Sequence, residues 1–276
     1  MCTFLFPNLV NENNHILLRI NIKYLFVFSL VFNLIGCQPP IYEKTANNSI
    51  QINSGTPESV EAMLMIQPYK EKLDAEMNEV LIISADEFPK ERGKPETKLG
   101  NLVADLSLDI ANKIYKPTDN QFIDFCLLNN GGLRTSLPKG EITRGKIFEL
   151  MPFENELVVV TISKTKAIEL IHYLHKSGGH PISGDFSFDF KKEVTDYKES
   201  KEEFNKIFND YDIKQFKILT SDYLANGGDK MNFFLNPIKI EFVGIKLRDA
   251  IIQYCKEQNK KGKQLVGKLD GRITFE

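Results

Sequence analysis

The chain contains no tryptophan and only four histidines and four cysteines among its 276 residues. Imidazole is the commonest side-chain ligand of catalytic transition metals, so this scarcity leaves little from which to assemble a metal centre. Charge of one sign is also missing: 35 basic residues face 37 acidic ones, a net charge of −2. That balance provides no electrostatic footprint for a nucleic-acid polymer. Hydrophobic residues at 42% and charged residues at 26% exclude long disorder, collagen-like repeats and a polytopic membrane protein. No glycine-rich phosphate fingerprint follows the first strand-like run, and no Ser/His/Asp or Cys/His arrangement offers a nucleophile. What the chain does have is phenylalanine, 20 residues of it, with 9 tyrosines.

Residues 24–35 are an uncharged apolar run preceded by Arg19 and Lys23, the layout of a secretory signal. The run is too short to span a bilayer comfortably. It ends Leu34-Ile35-Gly36-Cys37, followed by Gln38-Pro39-Pro40, and looks like a bacterial lipobox. The expectation is a lipoprotein signal peptide over residues 1–36, lipidation at Cys37, and a flexible Asn-, Ser- and Thr-rich tether over 37–60. An uncleaved anchor is the alternative. Residues 61–276 then form one domain, held at a bacterial membrane, in the periplasm or at the cell surface. Cys126 and Cys255 can pair in an oxidising compartment, but two cysteines in apolar surroundings are more often plain core residues.

Residues 58–77 are helix-compatible and broken by Pro68, and residues 79–84 read as a strand. From Leu99 apolar residues recur at three and four, so a helix runs to near Pro117, with Asp105 and Asp109 on its solvated face. Residues 122–128 form a short buried strand that runs into Asn129-Asn130-Gly131-Gly132-Leu133-Arg134, a tight loop able to approach a ligand. Thr143 caps a short helix, and residues 156–162 are a strand. Ser163 caps the next helix, which Gly178 stops. Strands follow at 185–190 and 216–220, flanking a charged surface insertion at 191–212. A helix over 244–257 and a strand over 272–275 close the chain. This irregular alternation predicts an α+β fold, a single layered domain with mixed sheets flanked by helices.

Four segments carry a resemblance: GNLVAD at 100–105, NNGGLR at 129–134, MPFEN at 151–155 and SDYLANGGD at 221–229. In order and approximate spacing they resemble the signature set of the 5'-nucleotidase C-terminal domain, and DGRI at 270–273 fits that domain's last strand. The resemblance covers roughly residues 75–276. It implies recognition of the nucleoside half of a nucleotide. Phe153 and Tyr223 would sandwich the base. Asp229 would accept hydrogen bonds from ribose hydroxyls, Arg134 would hold ribose or phosphate oxygens, and Asn129 and Asn155 would contribute amide hydrogen bonds. Gly132 would belong to the same site, and Gly228 would let backbone approach the sugar.

Three departures stand out. Asn130 replaces a glycine, Glu154 places a negative charge where the family has glycine, and Arg92 only loosely matches an upstream arginine. On residues alone, Phe153 and Tyr223 can be core aromatics, and Arg134 can pair with Asp229.

Complete family members carry a metallophosphatase domain with two metal ions. His172, His175 and His180 do not stand in any of that domain's motifs, so the resemblance implies no catalytic residue, metal ligand or cofactor in this chain. Divalent metals belong in a separately encoded metallophosphatase partner. The expected function is therefore a lipid-anchored substrate-recognition subunit that binds a nucleoside or nucleotide and contributes to nucleotide hydrolysis. The alternative is a nucleotide-binding or scaffold lipoprotein with no hydrolase partner.

Overall fold

The computed structural model describes residues 51–184, 188–190 and 214–275. The chain divides into two units, Met1–Glu58 and Ser59–Glu276. Of the first, the described part is a turn in which the Thr56 amide donates to the Asn53 carbonyl at 2.9 Å. The expected leader, Cys37, most of the tether, residues 185–187 and the insertion at 191–212 lie outside the described residues.

The second unit opens with helix α1, Val60–Met77, capped by the Ser59 hydroxyl. It runs unbroken through Pro68, contrary to the expected break, and none of its residues is buried. Strand β1 (Val80–Ser84) pairs antiparallel with β3 (Gly140–Thr143). Helix α2 (Lys98–Ile114) lies between them in sequence, and its Leu99, Val103, Leu106 and Ile110 form the buried stripe that the 3.6-residue period requires.

The centre of the unit is a four-stranded sheet in the order β2-β6-β4-β7. It comprises β2 (Phe125–Cys126), β6 (Gln215–Ser221), β4 (Glu156–Ser163) and β7 (Lys239–Lys246). Strand β2 is parallel to β6, whereas β4 is antiparallel to both β6 and β7. The sheet is therefore mixed, as an α+β domain allows.

Strand β4 reads as a continuous apolar run because both sheet faces are covered. Leu157 and Val159 join one core with α2, α3 (Arg144–Leu150) and α6 (Leu247–Lys260). Val158, Val160 and Ile162 join a second core with α4 (Lys164–Ser177) and the small parallel sheet of β5 (Phe188–Phe190) and β8 (Ile273–Phe275). Cys126 and Cys255 are free thiols buried in the first core. Burial pushes the Cys255 thiol up to about 12, so at neutral pH it behaves as a small hydrophobe.

Tertiary structure corrects one local reading and adds to another. Residues 239–246, whose last positions the sequence assigns to a helix beginning at Gly244, form strand β7. Gly244, at φ +85°, sits where the pairing of Glu156 and Val158 with β7 shifts register. The left-handed glycine thus makes a bulge within the strand, and the helix starts only at Leu247. Asp105 does lie on the exposed face expected of it, and in addition accepts from both terminal nitrogens of Arg272 at 2.8 and 3.1 Å and from the Gly184 amide at 3.1 Å. It ties α2 to the closing strand.

Candidate functional site

Register places three loops at one end of the central sheet. Cys126 pairs with Leu219, and Leu157 pairs with Ser221. The loop leaving β2, the turn entering β4 and the loop leaving β6 therefore emerge together. Helix α5 (Asp222–Ala225), capped by the Ser221 hydroxyl, begins the last of these. Ligand sites favour such loop clusters on a rigid sheet, because loops can vary while the scaffold holds them.

The loops enclose an open cavity of about 280 Å³ lined by Asn129, Gly131, Gly132, Arg134, Phe153, Asn155, Tyr223 and Asp229. Seven of the eight binding residues expected from the sequence are thus brought together. The eighth, Gly228, does not line the cavity. A Cβ there would fall 2.5 Å from the Tyr223 ring, so the missing side chain makes room for that ring. Gly132 is constrained in the same way by the Asn129 amide oxygen, 2.8 Å from where its Cβ would be.

Phe153 and Tyr223 are 41% and 47% exposed, which removes them from the core and leaves their rings accessible from the cavity. The Arg134 guanidinium carbon lies 5.9 Å from the centroid of the Phe153 ring, within cation–π range. Arg134 and Asp229 do not pair. The Asp229 carboxylate instead accepts from the Tyr223 hydroxyl at 3.0 Å and from the Asn129 amide at 2.6 Å. An ionised carboxylate offers about four acceptor directions, so further hydroxyl donors can still be received. Asp229 has φ +51°, unusual for a residue with a side chain.

A second cavity, of about 310 Å³, shares Gly131 and Arg134 with the first. Lys90, Arg92 and Arg134 border it, as does Glu91. Burial first, then the Arg134 and Arg92 charges, hold the Lys90 ammonium below its ordinary pKa. Among the described residues no carboxylate pairs with any of these three cations. In the sequence the only local signal for Lys90 is its place two residues before Arg92.

Glu154 adds no free negative charge here. Lys246 and Arg248 both hydrogen-bond its carboxylate and pull it down to about 2. His175 packs against Phe190, ring centroids 4.9 Å apart. Among the described residues no three His, Cys, Asp or Glu side chains converge into a metal cage. None of their helices is long and apolar enough to cross a membrane.

Comparison with known proteins identifies the family and the fold. The family described as 5'-nucleotidase, C-terminal domain, matches residues 80–236. The chain is 25% identical over 228 residues to the cell wall protein Lmo0130 of Listeria monocytogenes, covering 75% of this chain and 28% of that protein. It is 26% identical over 255 residues to the 5'-nucleotidase of Mus musculus, covering 83% and 42%. The solved 5'-nucleotidase precursor from Thermus thermophilus superposes with a TM-score of 0.57 at 23% identity, covering 80% of this chain and 44% of that one. At that identity the likeness speaks to the fold. The chain spans less than half the length of each of these relatives.

Proposed function

The chain belongs to the 5'-nucleotidase C-terminal domain family, and from that premise we propose that it recognises a nucleotide for a separately encoded metallophosphatase. In this reading the base stacks between Phe153 and Tyr223, the ribose hydroxyls donate to Asp229, and Asn129 and Asn155 add amide contacts. The phosphate lies toward the second cavity, near Arg134, Arg92 and Lys90. The metal ions and the hydrolytic water are the partner's. The observation that carries the reading is the pairing of two half-exposed rings with Asp229 and Arg134 around one cavity. Its volume is close to the lower end of the about 300–1,000 Å³ usual for small-molecule sites.

The neighbouring cluster of unpaired cations favours a nucleotide over a nucleoside, because an anion there relieves their mutual repulsion. The cell-wall name of the Listeria relative supports a cell-surface location, and the Gly36-Cys37 sequence supports lipid anchoring there.

Titration calorimetry with AMP tests the recognition step. Stacking contributes about 1–3 kcal/mol per base, so Phe153→Ala or Tyr223→Ala should each weaken binding about 5- to 150-fold. Thermal stability should hardly move in Phe153→Ala, since that ring is half exposed. Absence of AMP and adenosine binding by the wild-type chain, or indifference to both substitutions, would falsify the reading. Copurification of a metallophosphatase from membranes tests the partner.

A further inference from the structure

The two loops that supply Asn129 and Asp229 are joined a second time, away from the cavity. The Asn130 backbone N–H donates to His180 Nδ1 at 3.3 Å. Nε2 of the same ring lies 3.2 Å from the Tyr173 hydroxyl, and that hydroxyl donates to the Asp229 carbonyl at 2.8 Å. The two rings are stacked, with centroids 5.4 Å apart and planes at 15°.

Proton arithmetic gives this chain one direction. A backbone N–H can only donate, so Nδ1 must be bare and the ring proton must sit on Nε2. The Nε2–H then donates to the tyrosine oxygen, leaving the tyrosine proton for the carbonyl. Asp229 closes the circuit, because its carboxylate accepts from Asn129, the chain neighbour of Asn130. Burial pulls the His180 imidazole down to about 4 against the opposing Asp229 charge, so the ring stays neutral at physiological pH.

The fold holds the histidine in place. Gly179, at φ +95°, packs so closely that a Cβ would lie 2.4 Å from the Pro95 carbonyl oxygen, and Asn130 Nδ2 donates to the Gly179 carbonyl at 3.1 Å. Asp229 is held from both sides of its left-handed backbone: its N–H donates to the Tyr223 hydroxyl at 3.3 Å while its carbonyl accepts from Tyr173.

We propose that Tyr173 and His180 are positioning residues that lock the Asn129–Arg134 loop to the Gly227–Asp229 loop and so aim the Asp229 carboxylate and the Tyr223 ring at the ligand. The inference rests on the nucleotide reading only for what the locked site receives.

Tyr173→Phe in the full chain keeps the stacked ring and removes the hydroxyl. Amide hydrogen exchange at residues 130–132 and 229 should accelerate about tenfold, with little change in the sheet, and AMP affinity should fall about tenfold. Residues 130–132 do not touch the deleted oxygen, so a purely local defect leaves them unmoved. Unchanged exchange there overturns the proposal whether or not AMP binds. Accelerated exchange in a protein that binds neither AMP nor adenosine sustains the lock and defeats the nucleotide reading instead. Should the variant not fold, imidazole ¹⁵N spectra of the wild type at pH 7 decide. A single Nε2–H tautomer at His180 supports the lock, and a mixture of tautomers overturns it.

Discussion

Arg272 and Arg134 are both arginines beside a carboxylate-bearing loop, and the domain uses them in opposite ways. The Arg272 side chain is 3% exposed and gripped by Asp105 and Asp270. Burial works against its charge, but the hydrogen bonds it donates to those two carboxylates override it and hold the guanidinium above its ordinary pKa. All five of its N–H donors are engaged, by the two carboxylates and the Ile182 carbonyl, so it staples the start of β8 to α2 and has none left for a ligand. Arg134 lines both cavities, beside Lys90 and Arg92 in the second, and has no carboxylate partner among the described residues. Its guanidinium donates to the Gly131 carbonyl at 3.3 Å and lies over the face of Phe153. A cation paired with carboxylates within the fold serves stability, whereas one left without a carboxylate among its own kind is available for an anionic ligand.

That contrast is most easily broken at Arg272. Arg272→Leu leaves Asp105 and Asp270 without their shared partner, and denaturant unfolding should show a loss of about 3 kcal/mol. The figure sits at the low end for such pairs because the Asp105 side chain is 46% exposed. AMP affinity of the folded fraction should be unchanged, and a large affinity loss with intact stability would reverse the assignment.

His180 sharpens the contrast with a third case, a group kept neutral by burial. Its folded pKa of about 4 lies below the ordinary 6.5, so between these values the unfolded chain binds the extra proton. Its contribution to stability is therefore complete above pH 6.5 and is lost as pH falls toward 4. The loss is about 2–3 kcal/mol at most, less in proportion to the solvent that reaches the ring. Urea midpoints measured from pH 7 to pH 4 should fall more steeply in the wild type than in His180→Gln, and parallel profiles would show that the ring is not held neutral.

Local signals carried much of this domain. The helix Lys164–Ser177 was legible because Ser163 accepts from the Lys166 amide and Gly178 takes the left-handed stop at φ +77°. Strand β7 was not, because Gly244 suits a helix boundary locally and becomes a bulge only when β4 pairs beside it. Pro68 reads as a break, yet α1 passes through it. At the site, the loops were legible as motifs, and sheet register brought them together. The neutralisation of Glu154 by Lys246 and Arg248 was not, since both partners lie more than 90 residues along the chain. Nor was the Tyr173–His180 circuit, which exists only once the end of α4 lies between the two loops.

The central claim is that the unpaired cations beside the aromatic cavity are reserved for phosphate. The ratio of AMP to adenosine affinity in wild type and in Arg134→Ala, measured by calorimetry at constant ionic strength, tests it most directly. A charge-assisted hydrogen bond contributes about 1.5–3 kcal/mol, so the ratio should fall about 10- to 150-fold in the variant while adenosine binding changes far less. Equal binding of AMP and adenosine by the wild type, or a ratio untouched by the substitution, would contradict the account.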